Sequence, residues 1–146
     1  MFQLLNQVCC QAVNVAETTI VTSVLYTRTA NVRKERIIML LQQLKHRLRM
    51  EYTTLCTYLT TASMTAGDLL NKSYEVVWKQ EIVNLFEVMP EVGCRYSDEL
   101  LLWILYKDNS LEFLYQTWRH TDYLLTGEFA DLLYDELTVR KDGSNE

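Results

Sequence analysis

The run from Leu100 to Tyr106 is apolar on every side, and it limits the possible folds of this chain more than any other feature. A helix without a polar face must be enclosed by other elements or by lipid. The run is far shorter than the roughly 18 residues that a membrane span needs. We therefore predict a buried central helix with the other segments packed around it.

Length and composition favour a single helical domain. The chain has 146 residues, with one Pro and four Gly, and this length is enough for one hydrophobic core. We predict an all-α fold, a compact bundle over residues 1–146, with a flexible tail over about 140–146. The four cysteines form no CxxC pair, which favours a reduced, cytoplasmic protein. The charged C-terminal residues predict no transmembrane anchor.

The spacing of apolar residues predicts the helices around this run. A first helix over 3–26 is followed by a polar linker at 27–31, and a long amphipathic helix, or two abutting ones, covers 37–59. A further helix over 69–88 ends before Met89-Pro90, because proline disfavours helix in the residue before it. Ser97 is predicted as the N-cap of the central helix.

Two more helices are predicted after the central one. Asp108-Asn109-Ser110 interrupts the apolar pattern, and a helix from Leu111 to about Leu125 follows. The last helix holds Phe129, Leu132, Leu133 and Leu137 and precedes a polar tail that starts at Arg140.

Charge is distributed unevenly along the chain. Residues through Tyr74 carry about +4 and the remainder about −9, for a total of −5. We interpret the basic excess as the solvated face of one helix, since an acidic chain gains little affinity for phosphates. No nucleic-acid partner is therefore predicted. The basic residues are Arg33, Lys34, Arg36, Lys45, Arg47 and Arg49.

No motif for catalysis, cofactor binding or metal binding stands out in the sequence. The chain has no glycine-rich phosphate loop and only two histidines, so we predict no enzymatic activity, no cofactor and no metal site. One alternative is a catalytic site in which Cys94 is the nucleophile, His120 its base, and Asp122 orients the histidine. Residues of such a site can be distant in sequence and come together only when the chain folds.

The aromatic residues on the helical faces allow two interpretations. Trp78, Trp103 and Trp118 are expected in the core, which is the usual place for such residues. Alternatively, part of this surface lines a groove that receives an amphipathic helix through anchors at i, i+3, i+4 and i+7.

The middle of the chain contains Leu41, Leu48, Tyr52 and Leu59, then Val83-Asn84-Leu85-Phe86, and then Gly93. This pattern resembles the groove-forming half of the Bcl-2 (B-cell lymphoma 2) family of apoptosis regulators. In that family a BH3-like helix precedes a helix that ends in a Leu-Phe pair, and a signature glycine follows seven residues after the Phe. Here Gly93 follows Phe86 at that distance, and Arg95 is the nearest substitute for the signature arginine.

The resemblance implies an anti-apoptotic, virus-encoded type of protein that binds BH3 helices of pro-apoptotic proteins in a hydrophobic groove. It also implies that Arg95 pairs with an aspartate of the bound helix. The alternative function is a self-associating helical scaffold without BH3 binding, and a homodimer is compatible with both. The resemblance places in the groove Leu48, Tyr52, Leu55, Leu59, Val83, Phe86, Gly93 and Arg95.

Overall fold

The protein is all-helical in the computed structural model, which describes the backbone of residues 2–119 and 129–144 and the side chains of 22–119 and 130–144. Over these ranges the chain forms α1 (Phe2–Thr61), α2 (Ala66–Val88), α3 (Asp98–Leu105), α4 (Ser110–Arg119) and α5 (Phe129–Gly143). The predicted all-α fold class is therefore confirmed. The chain divides into two compact units, Met1–Arg36 and Ile37–Glu146.

Helix α1 is continuous through the predicted linker, so the prediction of a break at 27–31 is wrong. No Pro or Gly occurs between Phe2 and Thr61, and polar residues alone do not end a helix. The Thr27 hydroxyl donates a hydrogen bond to the carbonyl of Val24 at 2.9 Å, and Thr29 donates to Tyr26 at the same distance. These polar side chains are thus satisfied by the helix itself.

A capping box starts α2 three residues before the predicted position. The Thr65 side chain accepts a hydrogen bond from the Asp68 backbone N–H at 3.2 Å, and the Asp68 carboxylate accepts from the Thr65 backbone N–H at 3.2 Å. Hydrogen bonds from the Thr65 hydroxyl and backbone lower the pKa of Asp68. At the other end α2 stops at Val88, as the sequence predicts, because Met89 adopts the extended backbone that Pro90 requires.

The central run forms α3, but it is not enclosed on all sides. Ser97 is its N-cap, as predicted, with the side-chain oxygen accepting from the Leu100 N–H at 3.1 Å. Leu100, Leu101 and Ile104 are buried, whereas Tyr106 is 84% exposed. The predicted burial is therefore confirmed for these three residues, whereas Leu102, Trp103 and Leu105 pack against the core and remain partly exposed.

The last two helices begin near the predicted positions. Asn109 accepts a hydrogen bond from the Glu112 N–H at 2.7 Å in the first turn of α4. The final part of the predicted 111–125 helix lies outside the described residues. Helix α5 continues through Arg140 to Gly143, over part of the stretch predicted as a tail.

The hydrophobic core belongs to the second unit, Ile37–Glu146, and all its described helices contribute to it. Its buried apolar side chains are Leu40, Leu41, Leu44, Leu48, Ile82, Val83, Phe86, Tyr96, Leu100, Leu101, Ile104, Leu111, Leu114, Tyr115, Trp118, Leu133 and Leu137. Trp118 is thus a core residue as expected, while Trp78 and Trp103 pack against the core and remain partly exposed.

Candidate functional site

Three of the eight predicted groove residues lie inside the hydrophobic core. Leu48 and Phe86 are 0% exposed, and Val83 is 6% exposed. Their side chains are already enclosed by other apolar residues of the same cluster. They support the packing of α1 and α2, and in this structure they present almost no surface to a ligand.

Three other predicted residues follow one another along the last turns of α1. Tyr52, Leu55 and Leu59 are each partly exposed. Tyr52 packs against the core, whereas Leu55 and Leu59 lie outside it. Burial raises the pKa of Tyr52 to about 12, and a hydrogen bond with the Cys56 thiol acts in the same direction. We call this row the α1 stripe.

The remaining two predicted residues lie in the connection between α2 and α3. Gly93 has a φ of +81°, a backbone conformation that favours glycine. Arg95 forms an ion pair with Asp131 of α5, and its guanidinium lies 3.9 Å from the centre of the Tyr134 ring. The cation is therefore engaged within the protein, so an acidic ligand group would have to compete with Asp131.

Tyr96 is buried directly after this arginine. Its ring meets Phe86 at 5.6 Å and Tyr134 at 5.1 Å, both edge to face. Burial raises the pKa of the Tyr96 hydroxyl above its usual value. The hydroxyl has no hydrogen-bond partner among the described residues.

The basic residues from Arg33 to Arg49 do not form one solvated face, so this part of the sequence interpretation is wrong. Lys45 is partly buried and donates hydrogen bonds to the carbonyls of Glu87 and Met89, at 3.4 and 2.9 Å. A cation is favourable there because the carbonyls at a helix C-terminus carry partial negative charge.

Arg47 and Glu51, one turn apart on α1, hold the junction between α3 and α4. The Arg47 guanidinium donates to the carbonyls of Leu105, Lys107 (2.6 Å) and Asp108 (2.8 Å). The Glu51 carboxylate accepts from the N–H groups of Ser110 at 3.1 Å and Leu111 at 2.7 Å. The cation thus lies at a helix C-terminus and the anion at a helix N-terminus, which matches both helix dipoles.

Lys79 is the buried cation of the α2–α4 contact, with 5% of its surface exposed. Its ammonium donates to Glu75 at 2.6 Å and to Glu112. Burial opposes the charged form of Lys79, but the hydrogen bonds to Glu112 and Glu75 outweigh burial and raise its pKa. Burial likewise opposes ionisation of Glu75 and Glu112, and their hydrogen bonds, including those from Lys79, lower both pKa values.

An aromatic stack lies beside this network. The rings of Trp78 and Trp118 are stacked with centroids 4.0 Å apart, and Tyr74 meets Trp78 edge to face at 6.0 Å. Sequence periodicity assigns these residues to helix faces, but the pairing of α2 with α4 appears only in the fold.

Cys94 is the one member of the alternative Cys94–His120–Asp122 site that the structure describes. Cys94 is partly buried, with its sulfur 3.7 Å from that of Met89, while His120 and Asp122 lie outside the described residues. No cluster of three or more potential metal ligands occurs in residues 22–119 and 130–144. Among the helices that were described, none has the length and apolarity needed to cross a membrane.

Comparisons with protein-family models, with curated proteins and with solved structures give no match to this chain.

Proposed function

We propose that this protein binds BH3 helices of pro-apoptotic proteins and thereby inhibits mitochondrial apoptosis. The observation that carries this proposal is the α1 stripe of partly exposed Tyr52, Leu55 and Leu59. Their spacing of i, i+3 and i+7 places them on one helix face. A partner helix with apolar anchors at the same spacing would cover them.

Further exposed apolar side chains lie near the turn between α1 and α2. Tyr58 on α1 and Leu69 on α2 are both exposed, and only residues 62–65 separate the two helices. Removing such side chains from water contributes about 25 cal/mol per Å² of apolar surface. A helical ligand that covers this region would therefore gain affinity from burial.

Isothermal titration calorimetry with a panel of BH3 peptides tests the proposal. We expect binding at micromolar concentration or tighter, and a loss of about tenfold or more for Leu55→Glu, because a charge would replace a central apolar contact. Val139→Glu, on α5, is the control, since Val139 is also exposed but lies on another helix. Circular dichroism verifies that both variants fold.

The same titrations test whether Arg95 pairs with the ligand. Asp131→Asn removes the carboxylate that engages Arg95, so this variant should bind BH3 peptides more tightly than the wild type. Arg95→Glu should bind them more weakly. The proposal fails if no peptide binds, and the pairing of Arg95 fails if neither variant changes the affinity.

A further inference from the structure

Helix α2 presents an apolar row to solvent that the α1 stripe does not include. Leu70, Tyr74 and Val77 are 73, 52 and 57% exposed, and Glu81 is exposed one turn further on. The steps between these residues are four, three and four, so they lie along one face of the helix. We call this row the α2 stripe.

The first unit carries a row with the same spacing. Leu25, Thr29, Val32 and Arg36 are all exposed, and the steps between them are again four, three and four. We call this row the arm stripe, on the segment 22–36. Steps of four and three, repeated, are the spacing at which the seam of two packed helices is built.

Charge indicates which surface would cover the arm stripe. Four Lys/Arg and one Glu give residues 22–36 a net charge of +3, whereas residues 37–146 carry −7. We call the segment 22–36 the arm. The arms of two copies would repel each other, because like charges close together disfavour association. The second unit of another copy has the opposite net charge and therefore attracts the arm. The last residue of the α2 stripe is the acidic Glu81, and the last residue of the arm stripe is the basic Arg36.

We propose that the arm stripe of one copy packs in parallel on the α2 stripe of a second copy. In this register Leu25 lies against Leu70, Val32 lies against Val77, and Arg36, which also interacts within its own copy, lies beside Glu81. The apolar pairs supply burial, and the ion pair selects the register and the direction of the helices. This contact uses neither the α1 stripe nor Arg95, so it is independent of BH3 binding.

Charge reversal tests the contact by sedimentation velocity over a concentration series. Wild-type protein should self-associate, and Arg36→Glu and Glu81→Arg should each weaken association by about tenfold. The double variant, which restores opposite charges, should associate like the wild type. An equimolar mixture of the two single variants should also recover association, because the arm of one copy then meets the opposite charge on α2 of the other.

Two controls separate this contact from a general effect of charge. Arg33→Glu makes the same charge change on the arm outside the stripe, and Asp142→Arg reverses an exposed acidic residue of α5. Both should associate more strongly than the stripe variants. A monomeric wild type, equal loss in the controls, or a mixture that does not recover would overturn the proposal. BH3 titration of the same variants distinguishes this failure from that of the proposed function.

Discussion

The hydroxyl of Tyr96, in the connection between α2 and α3, is buried without a hydrogen-bond partner among the described residues. The ring itself is well packed, with Phe86 and Tyr134 in edge-to-face contact. Burying an unpaired hydroxyl costs roughly 1 to 3 kcal/mol. The side chain therefore stabilises the core through its ring and opposes folding through its oxygen.

Replacing Tyr96 by Phe should raise the free energy of unfolding by about 1 kcal/mol, because the ring contacts remain and the unpaired oxygen is removed. Urea denaturation followed by circular dichroism measures the change. Tyr106→Phe, at a residue that is 84% exposed, is the control and should leave stability unchanged. A loss of stability in Tyr96→Phe would mean that the hydroxyl does have a partner.

At the scale of helices, local signals are sufficient to predict several boundaries. Ser97 and the Met89-Pro90 pair act on backbone groups within a few residues, so the sequence alone reveals their effect. The predicted linker at 27–31 is wrong because threonine hydroxyls can bond within a helix. Leu48 and Phe86 show what periodicity does not reveal. It places both residues on an apolar helix face, but only the packing decides whether that face is buried in the core or accessible to a ligand.

The contacts of Arg47 and Glu51 at the junction between α3 and α4 could not be predicted, since the backbone groups that they bind are about 60 positions away along the chain. Arg47→Ala should lower the free energy of unfolding by about 2 kcal/mol, because the carbonyls at the end of α3 lose a charged donor. Arg140→Ala is the matched control. Arg140 forms an ion pair with Glu136 at the same i, i+4 spacing, and a pair of this kind is worth about 0.5 kcal/mol.

A double-mutant cycle shows whether the two residues act together. Arg47 and Glu51 are joined by a 2.8 Å ion pair, so Glu51→Ala and Arg47→Ala should not add when combined. Additive losses in urea denaturation would contradict the idea that the pair works as one unit across the junction.

For the molecule as a whole, the α2–α4 contact makes folding stability depend on pH. Glu75 and Glu112 have lowered pKa values in the folded protein. Their contribution is therefore present above the unfolded pKa of about 4.3 and is lost as the pH falls through the lower folded values. The pKa of Lys79 is raised. Its contribution is present below the unfolded pKa of about 10.4 and is lost as the pH rises through the folded value.

Lys79→Met should reduce the pH dependence of folding stability that Glu75 and Glu112 cause. At pH 7 the variant should lose about 2 kcal/mol of stability, because two partly buried carboxylates lose their shared cation. As the pH falls below the unfolded pKa of about 4.3 and through the lower folded values, both carboxylates become protonated, so the difference from the wild type should shrink. Lys141→Met, which removes the exposed pair with Glu99, is the control and should follow the wild-type curve. If the difference between Lys79→Met and the wild type stayed constant from pH 7 to pH 3, the loss would come from packing of the lysine chain instead of its charge.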